Sequence, residues 1–303
     1  GRDANFSTSF SSGAGKYSIK VTSVERSSAP QLRDPRLETA DLRRHGVGNV
    51  DLVEVINAAV VDRHHARRNA DGGESCFISS EEFITRTVWQ VEVRLGDGAD
   101  AFETHVTWFN ASGLPSPLYH WMNAAYSLRG NPEFKFPGKS VIGHQGEVEL
   151  RNWPVDEKGR DLSVYGNNAF GGPKSYHVLP GNNGFYAIWW PDQGFGSCHR
   201  SLAYEKFGRK IWLWALSREG GIWEDLLTDE DGQYTELQSG LCFNQPRWGN
   251  YKTPFKHPTF APGATDVFEE KWGVVRDAAA LVALAKQVWL SCIVMTANAW
   301  LYS

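Results

Sequence analysis

The sequence lacks the motifs of several common enzyme classes. It contains no glycine-rich phosphate loop, no Gly-x-Ser-x-Gly nucleophile elbow and no His-Glu-x-x-His zinc helix. These absences argue against nucleotide chemistry, serine hydrolysis and zinc proteolysis. No Cys-x-x-Cys pair occurs either, so we expect no structural zinc site and no other metal centre.

The chain also lacks an excess of basic residues. Lys and Arg number 31 against 35 Asp and Glu, which gives a formal net charge of −4. Without a broad basic surface, a nucleic-acid partner is not expected. The only methionines are Met122 and Met295, and the first residue is Gly1. We therefore expect the chain to be a processed product or a fragment.

Cysteines and long apolar runs are scarce. The four cysteines, at positions 76, 198, 242 and 292, are widely spaced. We expect free, mostly buried thiols. If the protein is exported, the alternative is that two of the cysteines form one disulfide. Residues 278–302 are largely apolar, but Lys286 and Gln287 leave too short a run for a membrane span. We expect no membrane partner and a buried helix or strand in this tail.

Glycine, proline and alternating segments favour an all-β fold. Thirty Gly and 14 Pro in 303 residues suit strands and turns better than a helical bundle. Residues 88–95 and 101–109 alternate between apolar and polar, and Gly96-Asp97-Gly98 between them predicts a hairpin. Further strands are predicted at 146–150, 175–179, 185–190, 210–215 and 234–241. Many antiparallel strands over this length indicate a large sandwich.

The N-terminal part of the chain has a different composition. Its first 87 residues are rich in Ser, Arg and Asp and contain no tryptophan. Residues 16–22 suit a strand, and residues 62–68 predict a charged, solvated segment. We divide the chain into three parts. Residues 1–87 are a poorly assigned segment, for which membership of the sandwich is one alternative. Residues 88–277 form a β-sandwich, and residues 278–303 are a tail or the start of a second domain.

Residues 210–240 are the densest in candidate functional groups, with seven carboxylates and Trp212, Trp214 and Trp223. Because alternate side chains of a strand share a face, Glu236 and Gln238 are predicted to lie side by side. A carboxylate and an amide near several indoles suit a sugar-binding cleft, since indoles stack on the C–H faces of sugars and the polar pair bonds hydroxyls. The alternative is a solvated strand face with the tryptophans in the core.

Residues 220–240 resemble the signature block of a bacterial domain family of unknown function. That family has an aldose-epimerase-like (galactose-mutarotase-like) domain, often followed by tetratricopeptide repeats. Supporting segments lie at 117–125, 209–214, 250–257, 260–263 and 268–277. The resemblance implies an antiparallel β-supersandwich of the galactose-mutarotase type, with an irregular N-terminal segment. No organic cofactor is implied.

The resemblance also implies a set of catalytic residues. The epimerases carry their general base in a Glu-x-Gln strand, and Glu236-Leu237-Gln238 resembles it. The acid partner is His120, whose segment resembles the histidine-bearing strand of the epimerases, or Asp225 as a second carboxylate. His120 lies three residues before Asn123, whereas the epimerase histidine lies four before its asparagine. Because one residue of slip changes the face of a strand, other histidines stay open as the acid: His144, His177 and His199.

Substrate binding is assigned to polar and aromatic side chains. Gln238 and Asn123 are the candidates for hydroxyl binding, with His199 as a further one. Trp189 and Trp190 are adjacent, so one of them is expected to face away from the core. The indoles predicted to line the cleft are Trp121, Trp190, Trp212, Trp214 and Trp223.

Together these features predict a carbohydrate-active protein. It would act at the anomeric centre of a mono- or oligosaccharide, either as a glycoside hydrolase or by aldose-epimerase-like acid/base chemistry. The alternative is a non-catalytic glycan-binding or assembly module that kept the fold and lost the chemistry. Carbohydrate is the expected partner, and a homo-oligomer stays open.

Overall fold

The structure is a computed structural model. It describes residues 5–12, 15–22, 41–42, 63–82, 85–118, 120–143, 150–170, 173–179, 184–202, 205–214, 216, 218, 221, 232–245, 258–279 and 281. Strands make up nearly all of the regular structure in these residues, together with one 3-10 helix at Tyr165–Asn167.

In chain order the strands are β1 (Asn5–Ser12), β2 (Gly15–Thr22), β3 (Asp41–Leu42), β4 (Arg63–Arg68), β5 (Glu74–Glu81), β6 (Thr87–Leu95), β7 (Ala101–Asn110), β8 (Ser116–Pro117), β9 (Trp121–Ser127), β10 (Glu133–Lys135), β11 (Ser140–Ile142), β12 (Arg151–Asn152), β13 (Pro173–Leu179), β14 (Phe185–Trp190), β15 (Phe195–Ser201), β16 (Gly208–Trp214), β17 (Tyr234–Gly240), β18 (Thr259–Phe260) and β19 (Thr265–Val275).

The chain divides into two compact units. The first comprises residues 1–116, 123–125 and 259–267, and the second comprises residues 117–122, 126–258 and 268–303. In the first unit, β1, β2 and β3 form one antiparallel sheet, and β4, β5, β6 and β7 pair in that order in another. The predicted hairpin is confirmed, because β6 and β7 pair from Thr87↔Asn110 to Leu95↔Phe102.

Alternation explains the core of the first unit. Trp89, Val91, Val93 and Leu95 of β6 are all buried, while the residues between them are half-buried or exposed. Strand β4, at the edge of this sheet, carries exposed side chains from His65 to Arg68, as expected for a solvated segment.

The second unit contains two antiparallel sheets. One has the order β10-β14-β15 followed by residues 268–275 of β19. The other has the order β12-β11-β13-β16-β17 followed by residues 121–122 and 126–127 of β9. The sheets face each other: the Tyr186 hydroxyl on β14 donates to the Leu237 carbonyl on β17 at 3.5 Å. Between them lie fully buried apolar side chains, among them Ile188, Ile211, Leu213 and Leu237. One face of β13, β16 and β17 is thus buried against the opposite sheet. Their other face is the one on which a functional site can form.

Most of the strand predictions that fall on described residues are confirmed. The predicted strands at 16–22, 175–179, 185–190, 210–215 and 234–241 correspond to β2, β13, β14, β16 and β17. Residues 146–149 and the tail beyond 281 lie outside the described residues. Cys76, Cys198 and Cys242 are free thiols. In the described part of the chain, no helix has the length and apolar character needed to cross a membrane.

Candidate functional site

Three neighbouring strands place polar and aromatic side chains on one face of their sheet. Lys210 on β16 lies opposite His177 on β13 and opposite Gln238 on β17. In the next row Trp212 lies opposite Glu236. Because alternate residues point to the same side of a strand, the site face, as we name it, carries a continuous series of side chains: His177, Lys210, Trp212, Trp214, Tyr234, Glu236 and Gln238.

Glu236 lies within this series and is half-buried. Gln238 donates from Nε2 to Oε2 of Glu236 at 2.7 Å, and the Tyr234 hydroxyl donates to Oε1 at 3.3 Å. Burial raises the pKa of Tyr234 to about 12, and the negative charge of Glu236 adds to this rise. Tyr234 therefore stays protonated near neutral pH and acts as a hydrogen-bond donor to the carboxylate.

Lys210 is a buried lysine on the same face, only 3% exposed. Its ammonium donates to Oε1 of Gln238 at 3.3 Å and to Oε1 of Gln245. It also lies 4.9 Å from the centre of the Trp212 ring. Burial lowers the pKa of Lys210 to about 8, although the charge of Glu236 opposes this shift. The face therefore holds a carboxylate and an ammonium that are joined through one amide.

Indoles surround these charged groups. Trp212 and Trp214 are half-buried and meet edge to face, with ring centres 5.6 Å apart. At the other end of the site face, Trp121 lies over two glycines, since a Cβ at Gly208 or Gly240 would come within 2.4 Å of its indole. The edge of the Trp121 ring meets His177, with ring centres 5.7 Å apart. Aromatic surface therefore lies on both sides of Lys210 and Gln238 along the sheet.

His120, the first candidate for the acid, lies in a buried cluster. It is 6% exposed, stacks on Phe268 at 4.7 Å, and its Nδ1 lies 3.0 Å from Nζ of Lys206. Lys206 itself is 0% exposed and lies over the Phe268 ring. These contacts belong to the inner cluster, which we define as His120, His199, Lys206, Arg209, Ser239 and Glu270.

Glu270 is the anion of the inner cluster. Nε2 of His199 lies 2.9 Å from its Oε1, and the Ser239 hydroxyl donates to the same oxygen. Burial works to raise the pKa of Glu270, but the charge of Lys206 and the hydrogen bonds from His199 and Ser239 outweigh it and lower the pKa to about 2. Burial lowers the pKa of His199 to about 4, so His199 is neutral and donates from Nε2.

Two residues predicted to bind substrate are core residues of the second unit. Trp190 is 2% exposed, stacks on Phe195 at 4.9 Å, and its indole N–H donates to the Ser127 carbonyl at 3.2 Å. His199 is 0% exposed and packs between Tyr186 and Trp272. Trp190 therefore fills the core and does not line an open cleft. Its burial leaves no polar atom unpaired, because the indole N–H finds a backbone acceptor.

The structure brings together only some of the predicted site residues. Glu236, Gln238, Trp121, Trp212 and Trp214 lie on the site face. Asn123 is half-buried and lies on β9, two residues after Trp121. Asp225, Trp223 and His144 lie outside the described residues.

The sequence reasoning missed Lys210 and Tyr234. Lys210 alternates with Trp212 and Trp214 in Lys-Ile-Trp-Leu-Trp, and Tyr234 alternates with Glu236 and Gln238, so the period of the strand could have placed them on this face. The described residues contain no group of three or more His, Cys, Asp or Glu side chains that could hold a metal ion.

The fold is shared with solved bacterial structures. A protein described as an aldose 1-epimerase from Escherichia coli K12 matches with a TM-score of 0.55 at 11% identity, over 89% of this chain and 99% of that one. Slr1438 from Synechocystis sp. PCC 6803 matches with a TM-score of 0.54 at 8% identity, over 91% and 97%. The predicted all-β, galactose-mutarotase-like sandwich is therefore confirmed.

A tetratricopeptide-repeat protein is also similar. A TPR-domain containing protein from Parabacteroides distasonis ATCC 8503 has a TM-score of 0.57 at 18% identity. The match covers 71% of this chain and 34% of that one, so this chain spans about a third of that protein's length. In sequence, residues 54–275 match the family described as Domain of unknown function (DUF5107). Because this match spans well over half of the 303 residues, the chain belongs to the DUF5107 family.

Proposed function

We propose that this protein binds a carbohydrate on the site face and catalyses acid/base chemistry at its anomeric centre, with Glu236 as the general base. The observation that carries this proposal is the setting of the carboxylate. Glu236 is half-buried, its Oε2 accepts from Gln238 at 2.7 Å, and Trp212 lies opposite it across the strands. A general base must reach its proton and keep a fixed orientation, and these contacts supply the orientation.

The aromatic residues supply the binding surface. Trp212 and Trp214 lie at 86° to each other and are both half-buried, so they present indole surface in two directions beside Glu236. The C–H faces of a sugar ring pack on such surfaces, while its hydroxyls bond to neighbouring polar groups. Trp121 extends the same face beyond Lys210, which suits an oligosaccharide as well as a single sugar.

Isomerisation is the reaction for which the described site face already carries the carboxylate that is needed. In mutarotation a base takes the proton of O1–H while the ring oxygen is protonated, for which water is a sufficient acid. Glycoside hydrolysis uses a pair of carboxylates that flank the bond. Among the described residues of the site face, Glu236 is the one carboxylate. The epimerase-like fold of the E. coli relative supports the same choice.

A glycan-binding module without catalysis is the second candidate. It is favoured by the position of His120, which lies in the inner cluster, where it contacts Lys206 and stacks on Phe268. A site that keeps the indoles and the carboxylate but places neither a side chain nor a water to protonate the ring oxygen would bind sugars and turn nothing over.

The test is a glycan panel that records binding, anomer exchange and release of reducing ends. It compares wild type with Glu236→Gln, and Glu74→Gln serves as the control because Glu74 is an exposed carboxylate on β5. We expect anomer exchange by wild type and Glu74→Gln, with a loss of about 100-fold or more in Glu236→Gln while binding persists. Binding by all three proteins without exchange or release would establish the binding module instead. No binding to any glycan would refute both functions.

A further inference from the structure

The amide of Gln238 is held at both ends by charged side chains. Its Nε2 donates to Oε2 of Glu236 at 2.7 Å, and its Oε1 accepts from Nζ of Lys210 at 3.3 Å. Gln238 is 4% exposed. Both polar ends of the side chain are therefore engaged within the protein, which makes Gln238 a support for Glu236 and not a ligand for a sugar hydroxyl.

Lys210 determines which way the amide points. An ammonium has three donors and no acceptor, so the atom that faces it must be an oxygen. With Oε1 turned toward Lys210, the Nε2 group of Gln238 is turned toward Glu236. A flipped amide would place its Nε2 donors against the ammonium and its oxygen against the carboxylate, and both contacts would be repulsive.

Lys210 is itself fixed in place by its neighbours. A second acceptor, Oε1 of Gln245, bonds its ammonium, and the Gln245 backbone N–H donates to Nε2 of His177 at 3.1 Å. The ammonium also lies over the Trp212 ring. These contacts leave Lys210 bonded within the protein, which suits a positioning role better than the delivery of a proton to substrate.

We propose that Lys210 is a positioning residue that acts on Glu236 through Gln238: the ammonium fixes the amide so that its N–H holds the carboxylate in the orientation used for catalysis. This inference rests on the proposed function of Glu236. It adds a residue whose effect on turnover requires no contact with the sugar.

Protonation of Lys210 provides a pH signature. A neutral amine can accept as well as donate, so loss of the Lys210 proton removes the constraint on the amide. Because burial lowers the pKa of Lys210 to about 8, this loss is expected in mildly alkaline solution. The titratable groups of the described residues that face Lys210 and Glu236 are His177 on β13 and Tyr234 on β17. The Tyr234 pKa of about 12 keeps its titration well above this range.

The experiment compares wild type, Lys210→Arg and Lys210→Met in anomer exchange as a function of pH. Arginine is a permanent donor, whereas methionine fills similar space and cannot donate. We expect kcat to fall by about 10 to 100-fold in Lys210→Met with little change in KM, the effect of misplacing one hydrogen bond to a charged group. Lys210→Arg should recover most of kcat, and its alkaline decline should move above that of wild type near pH 8.

A second measurement does not depend on activity. The side-chain amide signal of Gln238, identified in NMR spectra by its absence in Gln238→Glu, should show slow hydrogen exchange in wild type and Lys210→Arg and fast exchange in Lys210→Met. Equal protection in all three proteins, or equal kcat in wild type and Lys210→Met, would overturn the positioning role. If wild type shows no anomer exchange, the proposed function fails, and the amide signal alone still decides whether Lys210 orients Gln238.

Discussion

The indole of Trp121 lies so close to the backbone of Gly240 that a side chain at position 240 has no space. A Cβ there would lie 2.3 Å from Cδ2 and 2.4 Å from Cε2 of the ring. Gly208, which pairs with Gly240 across the two strands, has the same relationship to the far edge of the indole. Because neither glycine has a side chain, the Trp121 indole packs directly on the backbone at one end of the site face, beside His177.

We therefore predict that Gly240→Ala displaces Trp121. The added methyl group meets a rigid ring, so the indole must shift, and overpacking of this kind costs about 1 to 3 kcal/mol of unfolding free energy. Urea denaturation gives the loss of stability, and the glycan panel should show weaker binding of the longer oligosaccharides. Gly113→Ala is the control, since a Cβ at Gly113 has no neighbour within 4 Å. Equal stability of the two variants would contradict the close packing of Trp121 on Gly240.

The strands that carry the site could be predicted because their side chains alternate cleanly. The run from Tyr234 to Gly240 places Glu236 and Gln238 on one face, and the structure shows them bonded to each other at 2.7 Å. Lys210 was missed for a physical reason: lysine is usually solvated, so its burial beside Trp212 depends on acceptors from another strand and a following loop. Gln238 and Gln245 supply those acceptors, and no local pattern reveals them.

Strands β15 and β19 were harder to recognise. Strand β15, with the sequence FGSCHRS, has few β-branched residues, and it is a strand because β14 and β19 pair with it on either side. Strand β19 buries Glu270 between Phe268 and Trp272. A carboxylate at a core position breaks the apolar pattern. Its burial follows from the inner cluster, which the chain assembles from five separate segments.

The inner cluster predicts a large effect for Glu270→Gln. Lys206 and Arg209 are 0% and 2% exposed, and the negative charge of Glu270 attracts both of them. Its neutralisation removes a buried negative charge that attracts both cations and accepts from His199 and Ser239, and disruption of a buried charge network costs about 3 to 5 kcal/mol. Urea denaturation at neutral pH measures this loss. The control is Glu269→Gln, an exposed neighbour on β19, which should change stability by less than about 0.5 kcal/mol. Similar urea midpoints for Glu270→Gln and Glu269→Gln would refute the stabilising role of the Glu270 charge in the inner cluster.

The same cluster makes stability sensitive to mild acid through His199. Burial lowers the pKa of His199 to about 4, whereas its ordinary value is 6.5. Between these values the unfolded chain binds a proton that the folded protein excludes, so the free energy of unfolding decreases as pH falls from 6.5 toward 4. The full difference corresponds to about 3 to 4 kcal/mol, at roughly 1.4 kcal/mol for each pKa unit. Glu270, whose pKa is lowered to about 2 from 4.5, contributes its own loss only at lower pH.

Urea denaturation at several pH values between 7 and 5 isolates the contribution of His199. In His199→Gln the amide nitrogen takes the position of Nε2 and can still donate to Glu270, but it does not titrate. We expect wild type to lose stability across this range and His199→Gln to lose clearly less. His105→Gln is the matched control, because His105 is a half-buried histidine of the first unit, outside the inner cluster. If His199→Gln and His105→Gln follow the same pH dependence as wild type, His199 is not held neutral, and the charge balance of the inner cluster must include a protonated imidazole.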